Sequence, residues 1–162
     1  MFSVGDKVLY PMHGAGIIEA IEEKEILGAK KRYYVMKLPV GGMKVMIPLD
    51  SITQVGLREV VHEDVLQQVY DVLHDHQSEV SANWNRRYRD HMEKIKTGSI
   101  FEVAGVVRNL TMRDRIKGLS TGERKMLECA RQILISELIL VLDTSHEEIS
   151  SELEHIFSRY AN

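Results

Sequence analysis

The residues with the clearest chemical potential lie in one short stretch, where the only tryptophan of the chain stands among arginines. Trp84 is followed closely by Arg86, Arg87, Tyr88 and Arg89. Arginines can neutralise phosphates while an aromatic ring stacks on a base or inserts beside a base step. This combination is typical of contact with nucleic acid, and it makes these side chains candidate DNA-binding residues.

The spacing of the same stretch has a second interpretation. Trp84, Tyr88 and Ile95 fall at helical intervals, with His91 or Met92 between them. Trp84 could therefore top the buried face of an amphipathic helix. Spacing alone favours this core interpretation, so the choice depends on the rest of the chain.

The charge of the chain is unevenly distributed. The 162 residues carry a formal net charge of −3, yet residues 84–131 hold twelve Lys or Arg against six Asp or Glu. Residues 1–83 and 132–162 are both acidic. Such asymmetry indicates a basic face directed at a polyanion. The alternative is a solvated helical surface that happens to be basic.

Signals for other chemistry are weak. Cys129 has apolar neighbours at helical spacing and is expected to be an inert core thiol. His74 and His76 lack a third nearby metal ligand. Residues 13–16 (HGAG) are too short for a phosphate-binding loop. Because no nucleophile, base and orienting group come together, we expect a protein that is not an enzyme and uses no metal or cofactor.

The composition indicates a soluble globular protein, with 44% hydrophobic and 28% charged residues. A single cysteine excludes an intrachain disulfide and fits a reducing compartment. The N-terminus lacks the features of a signal peptide, and the longest apolar run, residues 138–142, is too short to cross a bilayer. We therefore expect a cytoplasmic protein with no membrane partner.

Residues 1–60 are predicted to form a small, curled antiparallel β domain, because short β-rich segments alternate there with Gly and Pro turns. Such a domain is small for an enzyme and common as a binding module. The predicted strands are residues 7–10, 15–20, 32–38 and 43–47, with turns at residues 27–29 and 41–42.

Helical periodicity begins near Val61, so residues 61–162 are predicted to form a compact helical bundle. Three helices have capping boxes, in which a serine is followed three residues later by a glutamate. These serines are Ser99, Ser120 and Ser145. The predicted fold class is therefore α+β, with a β domain followed by helices.

Two of the predicted helix starts are basic. One begins near Asn83 and carries the arginines after Trp84, and the other follows Ser120 and carries Arg124 and Lys125. Helix N-termini offer free backbone N–H groups and the positive end of the helix dipole to phosphate. Two such termini on one face of the molecule would grip a DNA backbone, so Arg124 and Lys125 join the candidate DNA-binding residues.

Several stretches together resemble the CarD/CdnL family of bacterial transcription factors, and they occur in the expected order along nearly the whole chain. The opening also resembles, more loosely, the polymerase-binding domain of the transcription-repair coupling factor. The matching stretches are residues 4–14 (VGDKVLYPMHG), 83–88 (NWNRRY), 106–110 (VVRNL), 118–127 (GLSTGERKML) and 130–134 (ARQIL).

The resemblance implies a Tudor-like or SH3-like β domain that docks on the β subunit of bacterial RNA polymerase. It also implies a helical domain that contacts promoter DNA at the upstream edge of the transcription bubble. The family's tryptophan inserts there as a minor-groove wedge that stabilises the open complex, and Trp84 matches it. Residues positioned like Arg86, Arg87, Arg89 and Arg124 are implied as contacts to the DNA backbone.

On the polymerase-facing side, the basic position implied by the resemblance falls on Lys24. A second position, basic in some members, is Met46 here, and the neighbouring Lys44 completes the set of polymerase-binding candidates. The partners implied are polymerase and promoter DNA, and we expect a monomer. The alternative is a protein-binding adaptor without DNA contact, in which Trp84 is a core residue or an interface anchor.

Overall fold

The computed structural model describes residues 1–75 and 80–158, which form an N-terminal β half followed by a helical half. The β half is one antiparallel sheet in the order β4-β3-β2-β1-β5, and a short helix, α1 (Ile52–Val55), precedes its last strand. The strands are β1 (Lys7–Tyr10), β2 (Gly14–Ile26), β3 (Ala29–Lys37), β4 (Lys44–Pro48) and β5 (Arg58–Glu59). The predicted α+β fold class is confirmed.

Strand β2 continues well beyond the predicted residues 15–20. Its charged second half pairs with basic residues of β3, as in the pairs Glu23–Arg32 and Glu25–Lys30. Opposite charges across an antiparallel pair stabilise it, so this segment forms a strand without an apolar face. The predicted turn is confirmed at Leu27 and Gly28, whose φ values of 53° and 78° suit a two-residue hairpin.

Strand β1 contributes to two separate hydrophobic clusters. Successive side chains of a strand point to opposite faces. Val8 therefore lies in the cluster of the β half, with residues such as Ile18 and Tyr34, whereas Leu9 lies in the cluster of the helical half. The sheet thus has no solvent-facing side at this position, because the helices cover it.

The described residues of the helical half form five α-helices, and three of them begin at the predicted capping boxes. Ser99, Ser120 and Ser145 each accept a hydrogen bond from the backbone N–H three residues on, at 3.5, 3.2 and 3.2 Å. The helices are α2 (Leu66–His74), α3 (Trp84–Lys96), α4 (Ile100–Ile116), α5 (Thr121–Leu142) and α6 (His146–Phe157). The sequence also predicts a polar connector at residues 77–82, and this segment lies partly outside the described residues.

Helix α5 is the central element of the molecule. It packs against α3, α4 and α6 and also against β2. The sequence predicts one apolar face for this helix, yet every residue from 133 to 140 is buried. The single-face prediction falls short because β2 covers the side of the helix that a free bundle would expose to water.

Polar contacts join the two halves across this junction. The Arg58 guanidinium donates to both carboxylate oxygens of Glu137 at 2.8 Å, and it also donates to the backbone oxygen of Gly98. The Val61 N–H donates to Glu137 at 2.9 Å, so the buried carboxylate is well satisfied. The proposed division into residues 1–60 and 61–162 stays a prediction.

Candidate nucleic-acid interface

Helix α3 begins with Trp84, because the preceding Asn83 caps the helix. The Asn83 side chain accepts a hydrogen bond from the Arg86 N–H at 3.0 Å. The Trp84 side chain lies outside the protein core, and the residue is 41% exposed. The residue is therefore exposed at the start of a helix, and the core interpretation of Trp84 is wrong for this structure.

The buried face of α3 is instead formed by Arg87, His91 and Ile95, which are four residues apart. Tyr88 and Met92, which belong to the predicted face, are only partly buried. His91 and Ile95 of the predicted face are buried, but Arg87 takes the place predicted for Tyr88, because an arginine here occupies a position that apolar side chains usually fill.

Arg87 is a correction to the predicted DNA-binding set, because it is only 3% exposed. Its Nε and Nη2 donate to Glu123 at 2.8 and 3.3 Å, and its Nη1 donates to the backbone oxygens of Ser81 and Ala82 at 3.1 and 3.3 Å. In this structure the guanidinium is enclosed by protein acceptors and is not available to a phosphate.

Glu123 is the buried partner of Arg87 and belongs to the capping box of α5. Burial alone would raise the pKa of this carboxyl, but the hydrogen bonds and positive charge of Arg87 bring its pKa below the usual value. Its Oε1 also accepts from the Ser120 hydroxyl at 3.2 Å. In a full capping box the glutamate also accepts from the backbone N–H of the serine. Here the Glu123 carboxylate accepts from the side chains of Arg87 and Ser120 instead.

The basic starts of helices α3 and α5 lie in contact with each other. Trp84 Nε1 at the start of α3 donates to Ser120 Oγ at the start of α5, at 2.9 Å. The indole also stacks on Tyr88, with ring centroids 5.0 Å apart and planes inclined by 20°. The predicted convergence of the two helix N-termini is therefore confirmed.

Four of the predicted cations, in the first two turns of α3 and α5, are exposed: Arg86, Arg89, Arg124 and Lys125. Within the described part of the chain, no carboxylate lies within ion-pair distance of Arg86, Arg89 or Lys125. Arg124 is loosely paired with Asp114 at 3.8 Å. We call these four residues and Trp84 the Trp84 surface.

His91 lies in the interior next to the Arg87–Glu123 pair. Burial lowers the pKa of His91 to about 4, with a further contribution from Lys94, so the ring is neutral at physiological pH. Its Nε2 is 3.4 Å from Asn109 Nδ2, whereas its Nδ1 has no partner in the described structure.

Cys129 and the histidine pair are the other titratable candidates. Cys129 is half-buried against the helical core, and burial raises the pKa of its thiol, as expected for an inert cysteine. Residues 1–75 and 80–158 contain no group of three or more potential metal ligands. His76, the second histidine of the HxH pair, lies outside the described residues.

The predicted polymerase-binding residues lie on strands β2 and β4, which are separated by β3. Lys24 is exposed on β2, directly across from Lys31 of β3. Lys44 is exposed on the edge strand β4 and pairs with Glu19 at 3.0 Å. Met46 follows on the same strand but is half-buried, so it offers less surface than an exposed basic side chain would.

No helix in the described ranges is both long enough and apolar enough to traverse a bilayer.

Comparison with known families covers both halves of the chain. Residues 2–61 match the family described as CarD-like/TRCF RID domain, and residues 68–154 match the family described as CarD, C-terminal domain. The chain is 42% identical over 151 residues to a Bacillus subtilis (strain 168) protein described as "Putative transcription factor YdeB". That alignment covers 93% of this chain and 99% of the relative.

Two solved N-terminal structures from Myxococcus xanthus are similar in sequence to the β half. The solution structure of the 72-residue N-terminal domain of CarD is 34% identical, covers 36% of this chain and 79% of its own, and has a TM-score of 0.32. The structure of CdnLNt is 38% identical, covers 39% and 89%, and has a TM-score of 0.34. From the two family matches and the full-length relative, we conclude that this chain belongs to the CarD family of transcription factors, which are not enzymes.

Proposed function

We propose that this protein docks on the β subunit of RNA polymerase through its β half and stabilises the promoter open complex through the Trp84 surface. The observation that carries the proposal is the exposed indole at the start of α3, beside the second basic helix start of α5. The protein acts in this proposal as a cytoplasmic monomer, with Trp84 at the upstream edge of the bubble.

The energetics favour a wedge at a fork rather than in closed duplex. Inserting a ring between stacked bases costs a few kcal/mol, and this cost is smaller where the stack is already broken. A protein that binds the open promoter more tightly than the closed one shifts the equilibrium by that difference in affinity. Trp84 would supply the difference, while Arg86, Arg89, Arg124 and Lys125 would hold the phosphates on either side.

A chain of net charge −3 is expected to bind DNA only weakly by itself. Docking on polymerase removes this difficulty, because a tethered binding surface has a high effective concentration at its target. We assign docking to Lys24, Lys44 and the exposed part of Met46. Arg87 is not among the proposed DNA contacts, because it is buried and binds Glu123.

The test is the lifetime of open complexes formed by purified RNA polymerase on several promoters, with and without this protein. Trp84→Ala is expected to shorten the added lifetime at least fivefold, because stacking on one base contributes about 1–3 kcal/mol. Since the ring is largely outside the core, the thermal melt should change little. Lys96→Ala, at the far end of α3, is the matched control and should keep the full effect.

Two outcomes would contradict the proposal. An unchanged lifetime across all promoters with the wild-type protein would exclude open-complex stabilisation. A Trp84→Ala protein that loses polymerase binding together with thermal stability would instead support the adaptor. Lys24→Glu separates the two steps, because it should weaken polymerase binding without altering the Trp84 surface.

A further inference from the structure

We propose that Ser120 is a positioning residue that holds the Trp84 ring in the orientation in which it meets DNA. This inference rests on the function proposed above, and it assigns to the start of α5 a role beyond phosphate contact. The ring of an exposed tryptophan is normally free to change rotamer. Here, three contacts restrain it, and Ser120 provides the only one that is a hydrogen bond.

The first restraint is the bond from Trp84 Nε1 to Ser120 Oγ at 2.9 Å. The second is Tyr88, which covers one face of the indole. The third is the first turn of α5, because a Cβ atom on Gly122 would lie 3.4 Å from Trp84 Cζ2 and 3.6 Å from Tyr88 Cε2. The N–H edge, one face and the adjoining Cζ2 position therefore contact the protein, while the residue as a whole remains 41% exposed.

The hydroxyl of Ser120 is itself fully used. A serine hydroxyl has one proton to donate and two lone pairs to accept. Ser120 donates to Glu123 Oε1 at 3.2 Å, accepts from the Glu123 N–H at 3.2 Å and accepts from Trp84. Because each direction has a partner, the oxygen cannot turn away from the indole without losing another hydrogen bond.

These contacts form a continuous hydrogen-bond network between two helices. Trp84 and Arg87 belong to α3, whereas Ser120 and Glu123 belong to α5. Arg87 holds the Glu123 carboxylate from the interior, Glu123 orients the Ser120 hydroxyl, and Ser120 holds the indole. The buried ion pair thereby fixes a ring on the surface.

This network reduces the conformational entropy lost on DNA binding, because the ring is already ordered before it contacts DNA. The only donor of the indole is taken by Ser120, so the exposed part of the ring is an apolar surface suited to stacking. Freeing the ring should therefore weaken the wedge without removing it.

The test uses Trp84 as its own reporter, since it is the only tryptophan of the chain. Ser120→Gly is the main variant, because glycine is tolerated at an N-cap at a cost of only a few tenths of a kcal/mol, whereas the hydroxyl is lost. Ser120→Thr should retain both the cap and the bond. Ser145→Ala removes the equivalent cap of α6, away from the tryptophan, and is the matched control for loss of capping.

In the free protein, Ser120→Gly should lower the anisotropy of Trp84 fluorescence and increase its quenching by acrylamide, with Ser120→Thr and Ser145→Ala like wild type. With polymerase and promoter, Ser120→Gly should shorten the added open-complex lifetime about three- to tenfold, as expected for one lost hydrogen bond. Ser120→Thr should restore it.

Fluorescence of Ser120→Gly identical to wild type would overturn the proposal, and so would a mobile ring with an unchanged open-complex lifetime. These results are distinct from failure of the proposed function. If wild-type protein does not extend the lifetime, the function falls, while the fluorescence of the free protein still decides whether Ser120 holds the ring.

Discussion

Among the described residues, two arginine–glutamate pairs have a buried carboxylate, and the two pairs have different structural roles. Arg58–Glu137 joins the β half to helix α5, whereas Arg87–Glu123 lies within the helical half beneath Trp84. Both carboxylates are almost inaccessible. The arginine side chains differ, since that of Arg58 is 30% exposed and that of Arg87 only 3%.

The degree of burial determines which member of an ion pair costs more stability when it is removed. A buried charge is costly once its partner is removed, because water cannot replace the lost contacts. Arg58 reaches solvent and can tolerate the loss of Glu137 better than Glu137 can tolerate the loss of Arg58. In the second pair the arginine has further acceptors in the backbone, and the carboxylate has Ser120.

The largest effect is therefore expected for Arg58→Ala, which leaves the Glu137 carboxylate in the junction with the Val61 N–H as its remaining donor. The free energy of unfolding, measured in urea, should fall by about 3–5 kcal/mol. The exposed Arg86→Ala is the control and should change it by less than about 0.5 kcal/mol. A loss below about 1 kcal/mol for Arg58→Ala would show that the pair does not hold the halves together.

A smaller loss of about 2–3 kcal/mol is expected for Arg87→Ala, because Glu123 keeps its bond with Ser120 and sits near a helix start. This variant should also change the emission and anisotropy of Trp84 in the folded protein. Arg58→Ala should leave both unchanged while the protein remains folded. Equal effects of the two variants on Trp84 would remove the distinction between the pairs.

Acidification should lower the stability of the folded protein, because protonation is disfavoured at His91, which is buried beside the second pair. The pKa of His91 is about 4 in the folded protein, compared with 6.5 for an unperturbed histidine. Between these pH values the unfolded chain binds a proton that the folded chain excludes. Stability is therefore complete above pH 6.5 and decreases as the pH falls toward 4, by up to about 3 kcal/mol.

The measurement is urea unfolding at a series of pH values. His91→Gln should flatten the dependence between pH 6.5 and 4, whereas His155→Gln, an exposed histidine on α6, should leave it unchanged. The contribution of Glu123, whose pKa is lowered, is retained down to about pH 4.5 and is lost progressively below it. An unaltered slope in His91→Gln would show that another group is responsible.

Local sequence signals predicted much of this fold. The serine caps, the Leu27–Gly28 turn and three of the five strands depend on neighbouring residues, and the structure agrees with them. Strand β2 was predicted too short, since its charged half gains its stability from β3. Strand β5 has two residues and is defined by pairing with β1, so nothing local reveals it.

The candidate site was predictable in its exposed part. An exposed tryptophan or arginine near a helix start is a candidate DNA contact by its type alone, as with Trp84, Arg86 and Arg124. The helix starts themselves can be located from their capping residues. The burial of Arg87 was not deduced, although its spacing from His91 and Ile95 marks one helix face. Its partner Glu123 is 36 residues away, and only the packing of α3 on α5 brings the two together.

The junction between the halves has a consequence for how this protein would read a promoter. Because hydrogen bonds and a shared core fix the sheet on α5, the fold sets the distance from the proposed docking residues Lys24 and Lys44 to Trp84. One base-pair step moves a DNA site by about 3.4 Å along the axis. Under the proposed function, a hinged protein would absorb such a displacement, whereas a rigid one would favour promoters whose bubble begins at the matching distance.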